Sequence, residues 1–307
     1  MKRYAIYLLA TICIGGVASG EDAAVETANH PHFDAEYSIF KETMADMTWP
    51  EIEDAAQQEA VVLFPLGVIE EHGPHIACGA DLYQAYQQCR LIKADLERRG
   101  TPAVIAPPFY WGVNYSTRHF PGSFDIKPET MKAVLNDILQ NLQCWGFTEV
   151  YMLNCHGEYG HNQAILECAK NAQRNIGIAA RWVISGGMAR RYKLSGEEEY
   201  LLFVDENPPE GEPQVDAPDF HAGAHETGDM VAFFPELVDI DAAKQLGLPE
   251  VKGGGYKEWG MDARAVTPLG YAGNPSAYNV DWSKQAFRDY CSTIAETIHT
   301  NYHSEHP

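Results

Sequence analysis

Three short segments of this chain gather residue types that hold metal ions and move protons. The first is Glu70-Glu71-His72-Gly73-Pro74-His75, with Asp81 close behind. A glutamate and a histidine two positions apart on extended chain point to the same side, and Asp81, beyond a tight Gly-Pro turn, is able to swing back toward them. Glutamate, histidine and aspartate together form a hard-to-borderline donor set suited to zinc or manganese. The second segment, Asn154-Cys155-His156-Gly157-Glu158, repeats the His/Glu pairing and leads into His161-Asn162. Two such pairs and a free aspartate are enough for two adjacent ions that share a carboxylate and a hydroxide. The third runs from Asp219 through His221 to Glu226 and Thr227. Small residues after His221 leave room for a substrate, and a histidine shuttles protons near neutral pH. Each segment also has a plainer reading. The first would suit a capped helix start with solvated charges, and His156 and His221 would suit structural loop histidines.

The elements that must carry these residues are legible around them. Ala60–Ile69 is an apolar run of the kind found in strands covered on both faces, and the first segment begins at its carboxyl end. Leu82, Tyr86, Cys89, Ile92 and Leu96 recur at helical spacing up to Gly100, with Asp81 expected as the N-cap. Further strands are expected at 102–106, 149–153 and 178–184, and helices from Pro128 to about Gly146, at 161–173 and at 282–302, with another near 229–234 or 241–245. The second segment follows the third strand, so both clusters fall at strand carboxyl ends, where parallel sheets bind ligands. That repetition weighs against the loop reading of His156. Strands alternating with helices imply an α/β fold: three α/β/α layers around a mostly parallel central sheet. The stretch 195–218 is acidic and rich in Pro and Gly. It is expected as a surface insertion, with a lid or a subunit contact as the sharper alternative. Tyr110, Trp111, Tyr115 and His119, in the loop after the second strand, are candidate pocket walls or candidate packing at a subunit contact.

The 307 residues suit one large domain, over 36–307, behind a polar leader at 21–35. Acidic residues outnumber basic ones 43 to 22, which argues against nucleic acid or anionic lipid as a partner. Lys2 and Arg3 precede an apolar run from Tyr4 to Val17, then Ala18-Ser19-Gly20 and a polar turn at Glu21. This is the pattern of a secretory signal over residues 1–20, and it places the protein in the periplasm or outside the cell. Beyond export, no membrane association is expected. A lipid anchor at Cys13 is disfavoured by the bulky Ile12 before it. The later six cysteines form no CxxC pair and are expected mostly as buried thiols, with room for one disulfide.

Taken in order, the motifs resemble the creatininase (creatinine amidohydrolase) family. The family's Pro-x-Gly-x-x-Glu-x-His-Gly-Pro-His segment is matched by Pro65 to His75, followed by Asp81. Its Phe-Pro-Gly-Thr loop is matched by Phe120-Pro121-Gly122-Ser123, and its Asn-Gly-His by Asn154-Cys155-His156. Its His-Ala-Gly-Glu-x-Glu-Thr is matched by His221 to Thr227, and its late Gly-Asp-Pro by Gly273-Asn274-Pro275. The resemblance spans roughly residues 36–300. It departs at Ala224, where a glutamate is usual, at the longer loop Gly157–Asn162, and at residues 215–220, which hold no match for the tryptophan pair that shapes the creatinine pocket.

The resemblance implies two divalent ions per chain, zinc or manganese, with iron a third option. Asp81 would bridge them, Glu70 and His156 would hold one, and His72 and Glu158 the other. His221 would protonate the leaving nitrogen, Glu226 would support the catalytic set or add a ligand, and His75 would line the pocket. The reaction implied is hydrolysis of a C–N bond in a small amide, cyclic ones included, by a hydroxide bridging the ions. Homo-oligomers, commonly hexamers, go with the family. The alternatives are a metallopeptidase acting on short peptides and an exported, non-catalytic metal- or ligand-binding protein.

Overall fold

A computed structural model describes residues 38–305, apart from 196, 206, 216 and 217. The expected export signal and polar leader therefore lie outside the described residues. In chain order the elements are α1 (Trp49–Gln57), β1 (Val61–Leu66), α2 (Ala80–Arg99), β2 (Ala103–Ile105), α3 (Pro128–Cys144), β3 (Glu149–Asn154), α4 (Tyr159–Asn171), β4 (Ala179–Ser185), α5 (Gly186–Tyr192), β5 (Leu201–Val204), α6 (Ala224–Phe233), α7 (Ile240–Gln245), α8 (Ala263–Val266) and α9 (Val280–Glu305).

The five strands form one all-parallel sheet in the order β2-β1-β3-β4-β5. Every side chain of β1 is buried. Its period-two alternation sends Val62, Phe64 and Leu66 into a core with Met131, Leu135, Leu139 and Ile165 of α3 and α4. Val61 and Leu63 go to the opposite core, with Ile92 and Leu96 of α2 and Ile294 and Ile298 of α9. Apolar strands between two apolar helix layers give the expected three-layer α/β/α fold. Crossovers leave β1 in one direction, to β2, and β3 in the other, to β4. The carboxyl ends of β1 and β3 thus flank the point where strand order reverses, and there the two departing loops part to open a crevice.

Four details differ from the sequence reading. β1 ends at Leu66 rather than residue 69: an isolated parallel bridge between Leu66 and Phe109, with the Gly67 N–H donating to the Phe109 carbonyl at 3.1 Å, is its last pairing on that side. Gly79, not Asp81, is the N-cap of α2, and Asp81 sits buried in the helix's first turn. The stretch expected as a surface insertion contributes β5, whose Leu201, Leu202 and Val204 are buried where it pairs with β4. The six described cysteines are all free thiols, and Cys89, Cys168 and Cys291 are buried. Both sites offered for the extra helix are occupied, by α6 and α7. No described helix is long and apolar enough to cross a membrane.

Candidate metal centre

The loop after β1 brings Glu70 and His72 to the crevice, the loop after β3 brings His156, and the first turn of α2 brings Asp81. Asp81 reaches that position because Gly67 has no side chain: a Cβ there would lie 2.9 Å from the Asp81 Cβ. The two Asp81 oxygens face opposite ways. Oδ2 lies 3.1 Å from His156 Nδ1, and Oδ1 lies 3.3 Å from His72 Nε2. Glu70 Oε2 completes the first side at 3.0 Å from His156 Nδ1, and Glu226 Oε2 the second at 3.7 Å from His72 Nε2. Glu70, Asp81 and His156 thus form one group whose donor atoms lie within 4.8 Å of one another, and His72, Asp81 and Glu226 form another.

Both histidines have their tautomers set from behind. His72 Nδ1 lies 3.0 Å from the Glu70 carbonyl, and His156 Nε2 lies 3.1 Å from the Val113 carbonyl. A carbonyl only accepts, so in the neutral rings these nitrogens carry the protons, and the lone pairs of His72 Nε2 and His156 Nδ1 then face the carboxylates. Thr117 Oγ1 donates to Glu70 Oε1 at 2.7 Å and orients that carboxylate.

The electrostatics call for cations. His72, Asp81, Glu70 and His156 are almost fully buried, and burying unpaired carboxylates is costly. Burial opposes ionisation of Asp81, yet the adjacent His156 and His72, when protonated on both ring nitrogens, hold its carboxyl well below the usual range. Glu70 is likewise lowered, against the cost of burial, by His156 and His221. Burial alone would push His72 and His156 down, but the surrounding carboxylates raise both well above the ordinary value. His72 Nε2 and Asp81 Oδ2 are buried without a hydrogen bond of good geometry. A cluster of lone pairs and charges that only positive charge satisfies fits a pair of divalent ions.

His221 stands beside this floor. Its ring lies 4.6 Å from the His72 ring, and its Nε2 lies 2.8 Å from the Glu71 carbonyl. Burial pushes its pKa down, but Glu70 and Glu71 outweigh that and carry it to about 8. Next to it, Ala222 adopts φ +48°, a strained conformation for a residue with a side chain. That backbone lets the Ala222 N–H reach Glu226 Oε2 at 2.5 Å and fix the carboxylate.

Other expected residues stand elsewhere. A third such group joins Glu70, His72 and His221, and Glu158 belongs to none of the three. Its carboxylate accepts from the Ser116 N–H at 3.3 Å and from the Ser116 hydroxyl, and Glu226 occupies the place beside His72 expected for it. His75 is buried behind the site, with Nε2 2.9 Å from Thr227 Oγ1, and burial pushes its pKa down to about 4. Tyr110, Trp111, Tyr115 and His119 do not line the cavity over the metal-binding floor. Trp111 packs between Tyr110 and Phe124, Tyr115 carries the Arg118 guanidinium at 3.6 Å, and His119 pairs with Asp262 at 3.0 Å.

The cavity, about 350 Å³, is walled instead by Phe220, Tyr256 and Trp259 on one side and by Tyr159 and Arg191 among others. Trp259 lies 5.6 Å from the His221 ring and edge-on to Phe220 at 5.3 Å. Sequence reasoning missed these walls. Trp259 comes from a loop some forty residues beyond the histidine it covers, and no motif or spacing marks it.

The family model for creatininase, creatinine amidohydrolase, matches residues 45–298. Creatinine amidohydrolase of Pseudomonas putida is 26% identical over 204 residues, covering 64% of this chain and 74% of its own. A mycofactocin precursor peptide peptidase of Mycobacterium ulcerans is 25% identical over 262 residues, covering 82% of this chain and 85% of its own. A solved manganese form of creatininase superposes with a TM-score of 0.60 at 21% identity, over 87% of this chain and 99% of that one, a likeness of fold. Ordered motifs, a parallel α/β/α scaffold and a family match over most of the length agree: this chain belongs to the creatininase family.

Proposed function

We propose that this protein is a metal-dependent hydrolase of C–N bonds in small amides. The observation that carries the reading is the Asp81 carboxylate, set between two tautomer-fixed histidines with one oxygen toward each. Glu70, Asp81 and His156 would hold one divalent ion, and His72, Asp81 and Glu226 the other. The oxygen and imidazole donors suit zinc or manganese, and iron as well. When bound, such ions supply Lewis acidity toward the amide carbonyl and bring a water within reach of deprotonation at neutral pH.

The chain's own groups supply the remainder. Asp81, Glu70 and Glu226 fix the positions of the ions. Phe220, Tyr256 and Trp259 shed water from the wall over the reacting bond. His221 manages the proton. Its Nε2 proton is committed to the Glu71 carbonyl, so the proton it can exchange sits on Nδ1. Given to the departing nitrogen, that proton spares the nitrogen from leaving as an anion.

A peptidase for short peptides is the second reading. It is supported by the longer of the two alignments, which is to a peptide peptidase. The cavity's volume, at the small end for ligand pockets, favours small amides over long peptides. A purely metal-binding role would leave His221 and the cavity beside it without a task. We also propose that the protein is exported, on the strength of Lys2, Arg3 and the apolar run to Val17, and that it works as a homo-oligomer, as its family resemblance implies. Sequencing the mature N-terminus and measuring the mass in solution check these two points.

The deciding experiment measures metal per chain and amide turnover on the native protein and on Asp81→Ala. About two ions per chain, with turnover of cyclic amides, formamides or dipeptides, and loss of both in the variant, is the expected result. Failure to take up zinc or manganese overturns the reading.

A further inference from the structure

The wall of the cavity holds a charge that the hydrolytic chemistry does not use. Arg191, near the end of α5, is the single arginine or lysine among the cavity's lining residues, which also include the carboxylates Glu70, Asp81, Glu158 and Glu226. In a chain with net charge −21, an arginine beside so many acids would be expected to pair with one. Arg191 makes no ion pair or hydrogen bond with any described residue, and Glu158 is engaged by Ser116 instead. Its side chain is exposed, while its backbone is anchored by the next residue. Tyr192 is buried and packs its ring against Tyr159 at 5.1 Å and Trp182 at 5.6 Å. α5 starts directly after β4, on the same rim as the metal-binding loops. A guanidinium is a planar fork suited to bidentate recognition of a carboxylate. Across the cavity Phe220 is 46% exposed, apolar surface left open within a wall of rings.

We infer that Arg191 determines specificity for an anionic substrate: a small amide with an apolar or flat acyl group on one side of the scissile C–N bond and a carboxylate on the other, as in an N-acyl amino acid. The inference rests on the hydrolase reading above. In the reaction, water adds across the C–N bond: hydroxyl goes to the acyl carbon, hydrogen to the nitrogen, and the acid and the free amino acid are released.

The test compares N-benzoylglycine with its neutral isostere N-isobutylbenzamide on the zinc-loaded protein, on Arg191→Ala and on Arg191→Lys. The native protein should prefer the carboxylate by about 10- to 100-fold in kcat/KM, the size of a charge-assisted contact. Arg191→Ala should collapse that ratio toward one, chiefly through KM, and Arg191→Lys should restore part of it. Turnover of both compounds with a ratio near one, unchanged in the variants, overturns the role of Arg191 and leaves the hydrolase standing. If neither is hydrolysed, calorimetric titration of the same two compounds decides. Tighter binding of the carboxylate, lost in Arg191→Ala, upholds the arginine as the carboxylate contact and leaves the hydrolase reading to the metal and turnover measurements above; equal binding overturns the role of Arg191.

Discussion

Gly67 and Asp81 approach so closely that a Cβ on the glycine would lie 2.9 Å from the aspartate's Cβ and 3.1 Å from its carbonyl carbon. The carboxylate shared by both donor groups therefore depends on a residue that touches no ligand atom. Gly67→Ala should push the first turn of α2 outward. Overpacking of this kind costs about 1–3 kcal/mol, and loss of ligand support lowers metal affinity about 10- to 100-fold. Competition with a chelator reads the second effect and a thermal melt the first.

The two glutamates competing for one role separate cleanly. Glu226→Gln should bring the metal content from about two ions per chain toward one, because Glu226 Oε2 faces His72 beside Asp81. Glu158→Gln should keep both ions, since its carboxylate is bound to Ser116. Elemental analysis after dialysis distinguishes them, and the opposite pattern would return Glu158 to the ligand set.

Removing metal should also soften the fold. Without cations the buried Glu70 and Asp81 are left to two histidines, so chelation should lower the melting temperature and zinc restore it. At a hundredfold excess over Kd the stabilisation is about 2.7 kcal/mol, or roughly 5–10 °C for a domain of this size. Asp81→Ala should show no response to zinc.

His221→Ala should keep both ions and lose turnover by about 10²- to 10⁴-fold, the range for a missing general acid. Metal analysis and steady-state kinetics on one preparation check both halves. Full activity in the variant would remove His221 from the mechanism.

Asp229, partly buried on α6, gives a pH signature outside the metal-binding floor. Burial pushes its carboxyl up to about 8, and the charge of Glu226 adds to this against the pull of His225. Between the ordinary value of 3.8 and about 8, the folded chain binds a proton there that the unfolded chain has released. Stability attributable to this group therefore falls as pH rises through that window. Asp229→Asn should flatten the decline, so that its melting temperature at pH 8, measured against the native protein, exceeds the same comparison at pH 5 by at least about 2 °C.

The residues that were legible in advance share a local signature. β1 is an unbroken apolar run and β3 is one between Glu149 and Asn154, α2 ends on Gly100 at φ +87°, and α3 opens on Pro128, so the scaffold and the rim could be read from short windows. What escaped depends on long-range contacts. β5 is four apolar residues in an acidic stretch, recognisable only by its pairing with β4. That Glu226 rather than Glu158 stands beside His72 turns on which loop folds back over that histidine, and both sit in plausible motifs. Tyr110, Trp111 and Tyr115 have the right chemistry for a pocket, but their rings find partners within their own loop, in one another, Phe124 and Arg118.

The floor and the wall of the cavity are separate inheritances. The candidate ligands come from the tight loops after β1 and β3 and from α2 and α6, whereas Tyr256 and Trp259 come from a glycine-flanked loop that belongs to none of the candidate groups. Under the proposed function, mutation in that loop should change substrate choice and leave the candidate metal groups intact. A single hydrolytic apparatus can thus be retargeted piecemeal, and residues 253–260 are the segment to randomise in a selection for new amides.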